Sequence, residues 1–381
     1  MTRFALTAER VFDGNSFEPN LAVVIEGARI FDLVNPARLG AKIPLRQLGA
    51  GSLTAGFVDV QVNGGGGVLL NETPTVDGVR KIAGAHRKFG TTGLLPTVIT
   101  DAPEVMRAAA DAVSQAMKQD VPGVLGIHIE GPFIDVKRKG AHDARFIRRP
   151  TEEDIQWLCG LDCGRVLLTL APNVVAPETI KRLVSAGIVV SLGHSDATAE
   201  EANAALAAGA SGFTHLFNAM SQMTGRAPGM VGAALSSRQH AYCGLIADGH
   251  HVDPVSLKVA IAALGDHSAF FVSDAMPSAA GGPASFELQG RPVEVVNGRL
   301  QLADGTLAGA NVTMLESMRY ASEHLDLKPE AILRMASSTP ASFLGLHAEI
   351  GHIAANCRAN LVHLSDDLDV FETWIDGVSS K

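Results

Sequence analysis

Cysteine is scarce in this sequence, positive charge is in deficit, and no apolar stretch runs long enough to cross a bilayer. Four cysteines in 381 residues exclude the short, cysteine-dense scaffolds of secreted mini-domains. Cys159 and Cys163 stand four apart with no second pair, so a zinc knuckle is a poor reading and buried free thiols the better one. Lys and Arg number 31 against 40 Asp and Glu, a net charge of −9. That balance argues against a nucleic-acid partner, which calls for a basic surface. An anionic small molecule stays compatible, because a local basic pocket suffices to hold it. The start, MTRFALTAERVFDG, shows no basic region followed by an apolar run, so no signal peptide is expected. With no membrane-length segment, the expected home is the cytoplasm.

What is present is an ordinary globular balance, 46% hydrophobic and 19% charged, with ample material for a core. The middle of the chain repeats one unit: a short apolar run ending in polar or glycine residues, followed by helical spacing. Eight such runs occur: FVDVQVN from Phe57, TGLLPTVIT from Thr92, GVLGIHIE from Gly123, RVLLTLAP from Arg165, GIVVSLGH from Gly187, GFTHLF from Gly212, AYCGLIAD from Ala241 and AFFVSD from Ala269. Between them lie segments such as PETIKRLVSAG, where Ile180, Leu183 and Val184 share a face. TAEEANAALAAG carries a Thr198 cap with Glu201 at capping-box distance. Near-continuous apolar strands alternating with helices predict a parallel sheet covered on both faces. Eight units predict an α/β fold closed into a (β/α)8 TIM barrel, with an open doubly wound sheet as the alternative. The two ends hold strand and turn patterns. Residues 1–55 and 346–381 are expected to form one small β-sandwich flanking a barrel over residues 56–345.

In a TIM barrel the reactive side chains stand at the C-terminal strand ends. The third run ends in His128-Ile129-Glu130, the fifth in Gly193-His194-Ser195, the sixth carries Thr214-His215, and the eighth ends in Ser273-Asp274. Singly, each has a bland reading: a hydrogen-bonded histidine, a turn cap, a helix N-cap. Together, Glu130, His194 and His215 make a ligand set suited to one Zn2+ or Fe2+ with a position open for water. Asp274 beside them can serve as base and then acid.

The segments HIEGPF, GHSDAT, THLFNAM, TGRAPG, IADGHHVD and VSDA, in this order, closely resemble the N-acetylglucosamine-6-phosphate deacetylases of the amidohydrolase superfamily. The resemblance covers nearly the whole chain. It implies Glu130, His194 and His215 as metal ligands, Asp274 as catalytic acid and base, and His142 as the residue that orients substrate and stabilises the oxyanion. It further implies substrate contacts from Ala141, Asn218 and Ala219, phosphate contacts from Arg226 and His251, and a closing loop over Leu307, Ala308, Gly309 and Ala310. It implies an amino-sugar phosphate as substrate and a homodimer in which a neighbouring subunit contributes to phosphate binding. One departure stands out. Many amidohydrolases carry His-x-His at the end of the first strand for a second metal, and here the place reads Gln61-Val62-Asn63. That resembles the one-metal subgroup. The galactosamine epimer, a cyclic-amide substrate and a non-catalytic sugar-phosphate binder are the rival readings. The basic run Lys137-Arg138-Lys139 and the pair Arg148-Arg149 read as solvated charge without a role.

Overall fold

A computed structural model describes residues 3–381. Each of the eight apolar runs supplies a strand of one parallel sheet. They are β1 (Phe57–Val62), β2 (Thr91–Ile99), β3 (Gly126–Glu130), β4 (Arg165–Leu170), β5 (Val189–Leu192), β6 (Gly212–Phe213), β7 (Tyr242–Leu245) and β8 (Ala269–Phe271), paired in sequence order. A parallel bridge between Val62 and Ala275 joins the last strand to the first, so the sheet is closed. The apolar runs are continuous because both strand faces are covered: β2 is buried at all 9 of its positions.

Eight helices follow the strands in turn: α1 (Val76–Arg87), α2 (Pro103–Lys118), α3 (Glu152–Cys159), α4 (Pro177–Ser185), α5 (Ala199–Ala207), α6 (Gly229–Leu235), α7 (Pro254–Leu264) and α8 (Met314–His324). Their starts follow local chemistry. In α5 the expected capping box is present: Thr198 Oγ1 accepts the Glu201 N–H at 3.2 Å, and Glu201 Oε2 accepts the Thr198 N–H at 2.8 Å. Ile180 and Leu183 of α4 are fully buried, in keeping with their shared face.

The terminal segments build two further sheets. One pairs Arg29–Val34, Ala22–Glu26, Arg3–Thr7 and Leu45–Gln47. The other pairs Val378–Ser379, Val370–Ile375, Leu361–Leu364, Ser52–Ala55, Arg10–Phe12 and Phe17–Pro19. Leu6, Val23, Ile25 and Ile30 of the first share a core with Val11, Leu53, Leu361 and Trp374 of the second. Burying both inner faces in one layer is what makes the pair a sandwich.

Two features differ from the sequence reading. A three-stranded antiparallel insertion, Ser285–Leu288, Arg291–Val296 and Arg299–Gln301, stands between β8 and α8. Its Leu288, Val293 and Leu300 pack on Leu69, Ile99, Met276 and Ala308 at the barrel mouth. Arg148 is not free surface charge. It forms a bidentate pair with Asp154, one contact at 2.7 Å, and lies 5.5 Å from the centre of the Phe133 ring. Asp154 also accepts from Thr151 N–H at 2.8 Å and closes the capping box of α3.

That cluster sets a pH-dependent part of stability. Burial alone would raise the Asp154 carboxyl, but Arg148 and the Thr151 donors overcome it and bring its pKa down from 3.8 to about 2. A depressed carboxyl stabilises the fold above its unfolded value and loses that contribution as pH falls from about 4 through 2. Asp154→Asn is expected to cost about 2 kcal/mol at pH 7. Denaturant titrations at pH 7, 4 and 3 check this: the gap between wild type and variant must narrow as the pH drops.

Candidate active site

The C-terminal rim of the barrel opens on a cavity of about 400 Å3, within the range that holds a small ligand. Glu130 closes β3. His194 stands two residues past β5, His215 two past β6, and Asp274 three past β8. The backbone at His194, His215 and Asp274 takes positive φ values of 47°, 34° and 49°. Side chains there rarely adopt this region, and residues that do so gather at functional sites. The turn aims each side chain inward over the strand ends.

Glu130 Oε1 lies 3.0 Å from His194 Nε2 and 3.0 Å from His215 Nε2, and the two imidazole nitrogens are 3.1 Å apart. All three residues are buried. Among the described residues they are the one group of three such side chains placed to hold a metal ion. The tautomer at His194 tests the fit. Its Nδ1 faces the carbonyl oxygen of Arg138 at 2.9 Å. A carbonyl only accepts, so Nδ1 carries the hydrogen and Nε2 of the neutral ring presents a lone pair. A ligating histidine is commonly oriented by such a carbonyl. One carboxylate oxygen and two imidazole nitrogens, each able to ligate, thus converge within 3.1 Å of one another in a buried space. The donor set therefore fits a divalent metal ion. Burial would raise the Glu130 carboxyl, but the two imidazoles overcome it and hold it well below the usual carboxylate range.

Asp274 lines the same cavity. Burial first, and then the charge of Glu130, push its carboxyl up to about 6. His142 is buried beside His194, their ring centres 4.4 Å apart. Its Nδ1 lies 2.7 Å from Thr100 Oγ1, which leaves Nε2 for the cavity. Burial drives its pKa well below the ordinary value, so the ring is neutral. Gly131 makes this packing possible: its φ is +84°, and a Cβ there would sit 2.1 Å from Thr100 Oγ1.

Of the substrate contacts implied by resemblance, Ala141, Asn218, Ala219, His251, Leu307, Ala308 and Gly309 line the cavity. Ala310 does not. It is buried and donates its N–H to Asp274 O at 2.9 Å. Arg226 is exposed on the loop between β6 and α6, away from the cavity lining. Sequence reasoning missed three supports. Thr100 holds His142. Asp248 Oδ2 lies 2.7 Å from His251 Nδ1 while its other oxygen accepts the N–H groups of His250 and His251. Lys137 and Arg138 line the cavity, so the basic run is not merely solvated, and the Arg138 guanidinium is tied to Asp196 at 2.8 Å. Beneath the site, His128 bridges Thr97 at 3.3 Å and Thr169 at 2.8 Å, and Thr214 links Thr169 to Ser191 at 2.7 Å each. Burial lowers the His128 pKa to about 4.

A family model described as "Amidohydrolase family" matches residues 52–379. This chain belongs to the amidohydrolases. An N-acetylgalactosamine-6-phosphate deacetylase from Shewanella sp. (strain ANA-3) is 47% identical over 88% of this chain and 84% of its own. An N-acetylglucosamine-6-phosphate deacetylase from Haemophilus influenzae is 34% identical over 94% of each. Among solved structures, N-acetylglucosamine-6-phosphate deacetylase from Pasteurella multocida superposes with a TM-score of 0.95 at 34% identity, covering 99% of both chains. A mutant of the Mycobacterium smegmatis deacetylase, solved with N-acetyl-D-glucosamine-6-phosphate, gives 0.91 at 30% identity, covering 100% of this chain and 99% of that one. No helix among the described residues of this amidohydrolase is long and apolar enough to cross a membrane.

The donor geometry predicts one divalent ion per chain. Elemental analysis of purified protein is expected to find one equivalent, and His215→Asn close to none. Removing the ion by chelation is expected to lower Tm by roughly 5 °C or more, since a ligand that binds only the folded state adds to its stability.

Proposed function

We propose that this amidohydrolase removes the acetyl group from N-acetyl-D-glucosamine 6-phosphate, giving D-glucosamine 6-phosphate and acetate. One observation carries the reading: Glu130, His194, His215 and Asp274 meet at a single cavity in a chain whose relatives are amino-sugar phosphate deacetylases.

Glu130, His194 and His215 hold the ion, Zn2+ or Fe2+, both of which accept this ligand set. When bound, it supplies a Lewis acid that polarises a carbonyl and acidifies water. Asp274, ionised, takes a proton from the attacking water as its oxygen bonds to the acetyl carbon. His142 donates from Nε2 to the carbonyl oxygen as negative charge gathers there. As the carbon–nitrogen bond breaks, Asp274 returns the proton to the amine nitrogen. Asn218, Ala219 and the loop over Leu307, Ala308 and Gly309 enclose the sugar. His251, whose Nδ1 donates to Asp248 Oδ2, donates from Nε2 to the 6-phosphate as the imidazolium. Arg226, exposed on the single chain, supports the homodimer that family resemblance implies, in which it serves a neighbouring subunit's phosphate. The four cysteines are free, which fits a reducing compartment and supports a cytoplasmic enzyme.

A second reading, the galactosamine epimer as the preferred substrate, is favoured by the 47% identity to a deacetylase of that sugar. Acetate release from the two N-acetylhexosamine 6-phosphates separates them: the epimer with the larger kcat/KM, by about tenfold or more, is the substrate. Asp274→Asn is expected to lower kcat by about 1,000-fold or more while one metal per chain remains. Near-normal turnover in that variant, or no acetate from either sugar with wild type, defeats the proposal. Asp248→Asn is expected to raise KM for the phosphorylated sugar about tenfold with kcat within threefold, and to leave the unphosphorylated sugar unaffected.

A further inference from the structure

Gln61 and Asn63 stand where two-metal relatives carry histidines, and nothing in the mechanism above uses them. They sit two residues apart at the end of β1, so both side chains point to the same face, the barrel interior, and both are buried, 1% and 2% exposed. Gln61 Nε2 donates to Asp274 Oδ1 at 3.1 Å and lies 3.3 Å from each Glu130 oxygen. Asn63 Nδ2 donates to the same Asp274 Oδ1 at 2.7 Å. Asp274 Oδ2 accepts from no group among the described residues, and Asp274 lines the cavity.

We infer that Gln61 and Asn63 are positioning residues for the deacetylation: two amide donors pin Asp274 Oδ1 and leave Oδ2 as the oxygen that carries the reacting proton. Three physical arguments support this. First, a carboxylate with one oxygen held by two donors from one rigid strand cannot turn about its Cβ–Cγ bond without breaking both bonds. Each such charge-assisted bond is stronger than its neutral counterpart. Second, an amide does not titrate near neutrality, so the pair orients Asp274 without competing for its proton. The Asn63 orientation follows from the same contact. Nδ2 must face the carboxylate, and Asn63 Oδ1 is left buried with no partner among the described residues. Third, Glu130 and Asp274 are two acidic groups in one buried space. A second cation would shield them from each other in a two-metal relative. Here the Gln61 amide lies within reach of both and sets N–H dipoles between them. An imidazole pair filling the same place would bind metal, whereas the amides serve the carboxylate.

The inference rests on Asp274 handling the proton, and the experiment separates the two claims. Wild type, Gln61→Leu, Asn63→Leu, Asp274→Asn and the double variant Asn63→Leu/Asp274→Asn are assayed for acetate release and for metal content. Each single amide variant is expected to keep one metal per chain, to hold KM within about threefold, and to lose about 10- to 100-fold in kcat, the scale of one hydrogen bond to a charged group. On the Asp274→Asn background, Asn63→Leu is expected to change the residual rate less than twofold, because its effect runs through the carboxylate. A purely structural role for Asn63 would reduce both backgrounds alike. Asn63→Ser, smaller and still a donor, covers a leucine variant that does not fold: it is expected to lose less than tenfold, with the same non-additivity. The clamp is overturned by an amide variant with normal kcat, by loss of metal in Gln61→Leu or Asn63→Leu, or by an undiminished loss on the Asp274→Asn background. Wild type that releases no acetate overturns the hydrolase reading itself, an outcome distinct from each of these.

Discussion

Glu130 Oε1 stands 3.0 Å from two imidazole nitrogens that are themselves 3.1 Å apart, and the rest of the rim is arranged so that these three atoms can face one another. The same three atoms are the ones a divalent ion would take as ligands. The surroundings hold them in place from several sides. The Arg138 carbonyl fixes the His194 tautomer. Thr100, against the glycine that follows Glu130, holds His142 upright beside it. The hydroxyl and imidazole layer of Thr97, His128, Thr169, Thr214 and Ser191 satisfies the polar groups directly below, where a buried donor without a partner would cost about 1–3 kcal/mol. The ligand atoms are thus held in place by the fold itself, through contacts outside the metal position.

The strand ends supply the aim. His194, His215 and Asp274 each occupy the left-handed region, at an expense of order 1–3 kcal/mol apiece. A residue in regular strand geometry points straight into or out of the barrel, as Glu130 does at the end of β3. Closure of the sheet keeps those turns from relaxing, because every strand is held by a neighbour on both sides. The fold offers rigidity at the barrel and variety at the rim. Here the variety includes a three-stranded insertion whose Leu288 reaches the cavity.

Most of the barrel was legible in the sequence because its signal is local. An apolar run of four to nine residues that ends in glycine or a polar group reads as a buried strand whatever lies elsewhere. The convergence of Glu130, His194, His215 and Asp274 was legible for the same reason: once strands are placed, their ends share one face. What escaped was relational. Thr100 holds a histidine 42 residues away, and nothing in its own segment marks it. Asp248 reads as part of an ordinary turn until its second oxygen is seen against His251. Arg148 looked like solvated charge because nothing in its own segment marks Asp154, six residues on, as its partner. The insertion at Ser285–Gln301 has half-exposed strands with weak alternation, so it carries little hydrophobic pattern to read.

The strand Ser52–Ala55 leads directly into β1 and is flanked by Arg10–Phe12 on one side and Leu361–Leu364 on the other. During synthesis one neighbour is present almost from the outset and the other emerges only after the entire barrel has been translated. Until then the edge of Ser52–Ala55 that will meet Leu361–Leu364 is bare, and a bare strand edge invites pairing with other chains. The barrel therefore emerges ahead of its own seal, and Leu361–Leu364 acts as the clasp that retires an exposed strand edge.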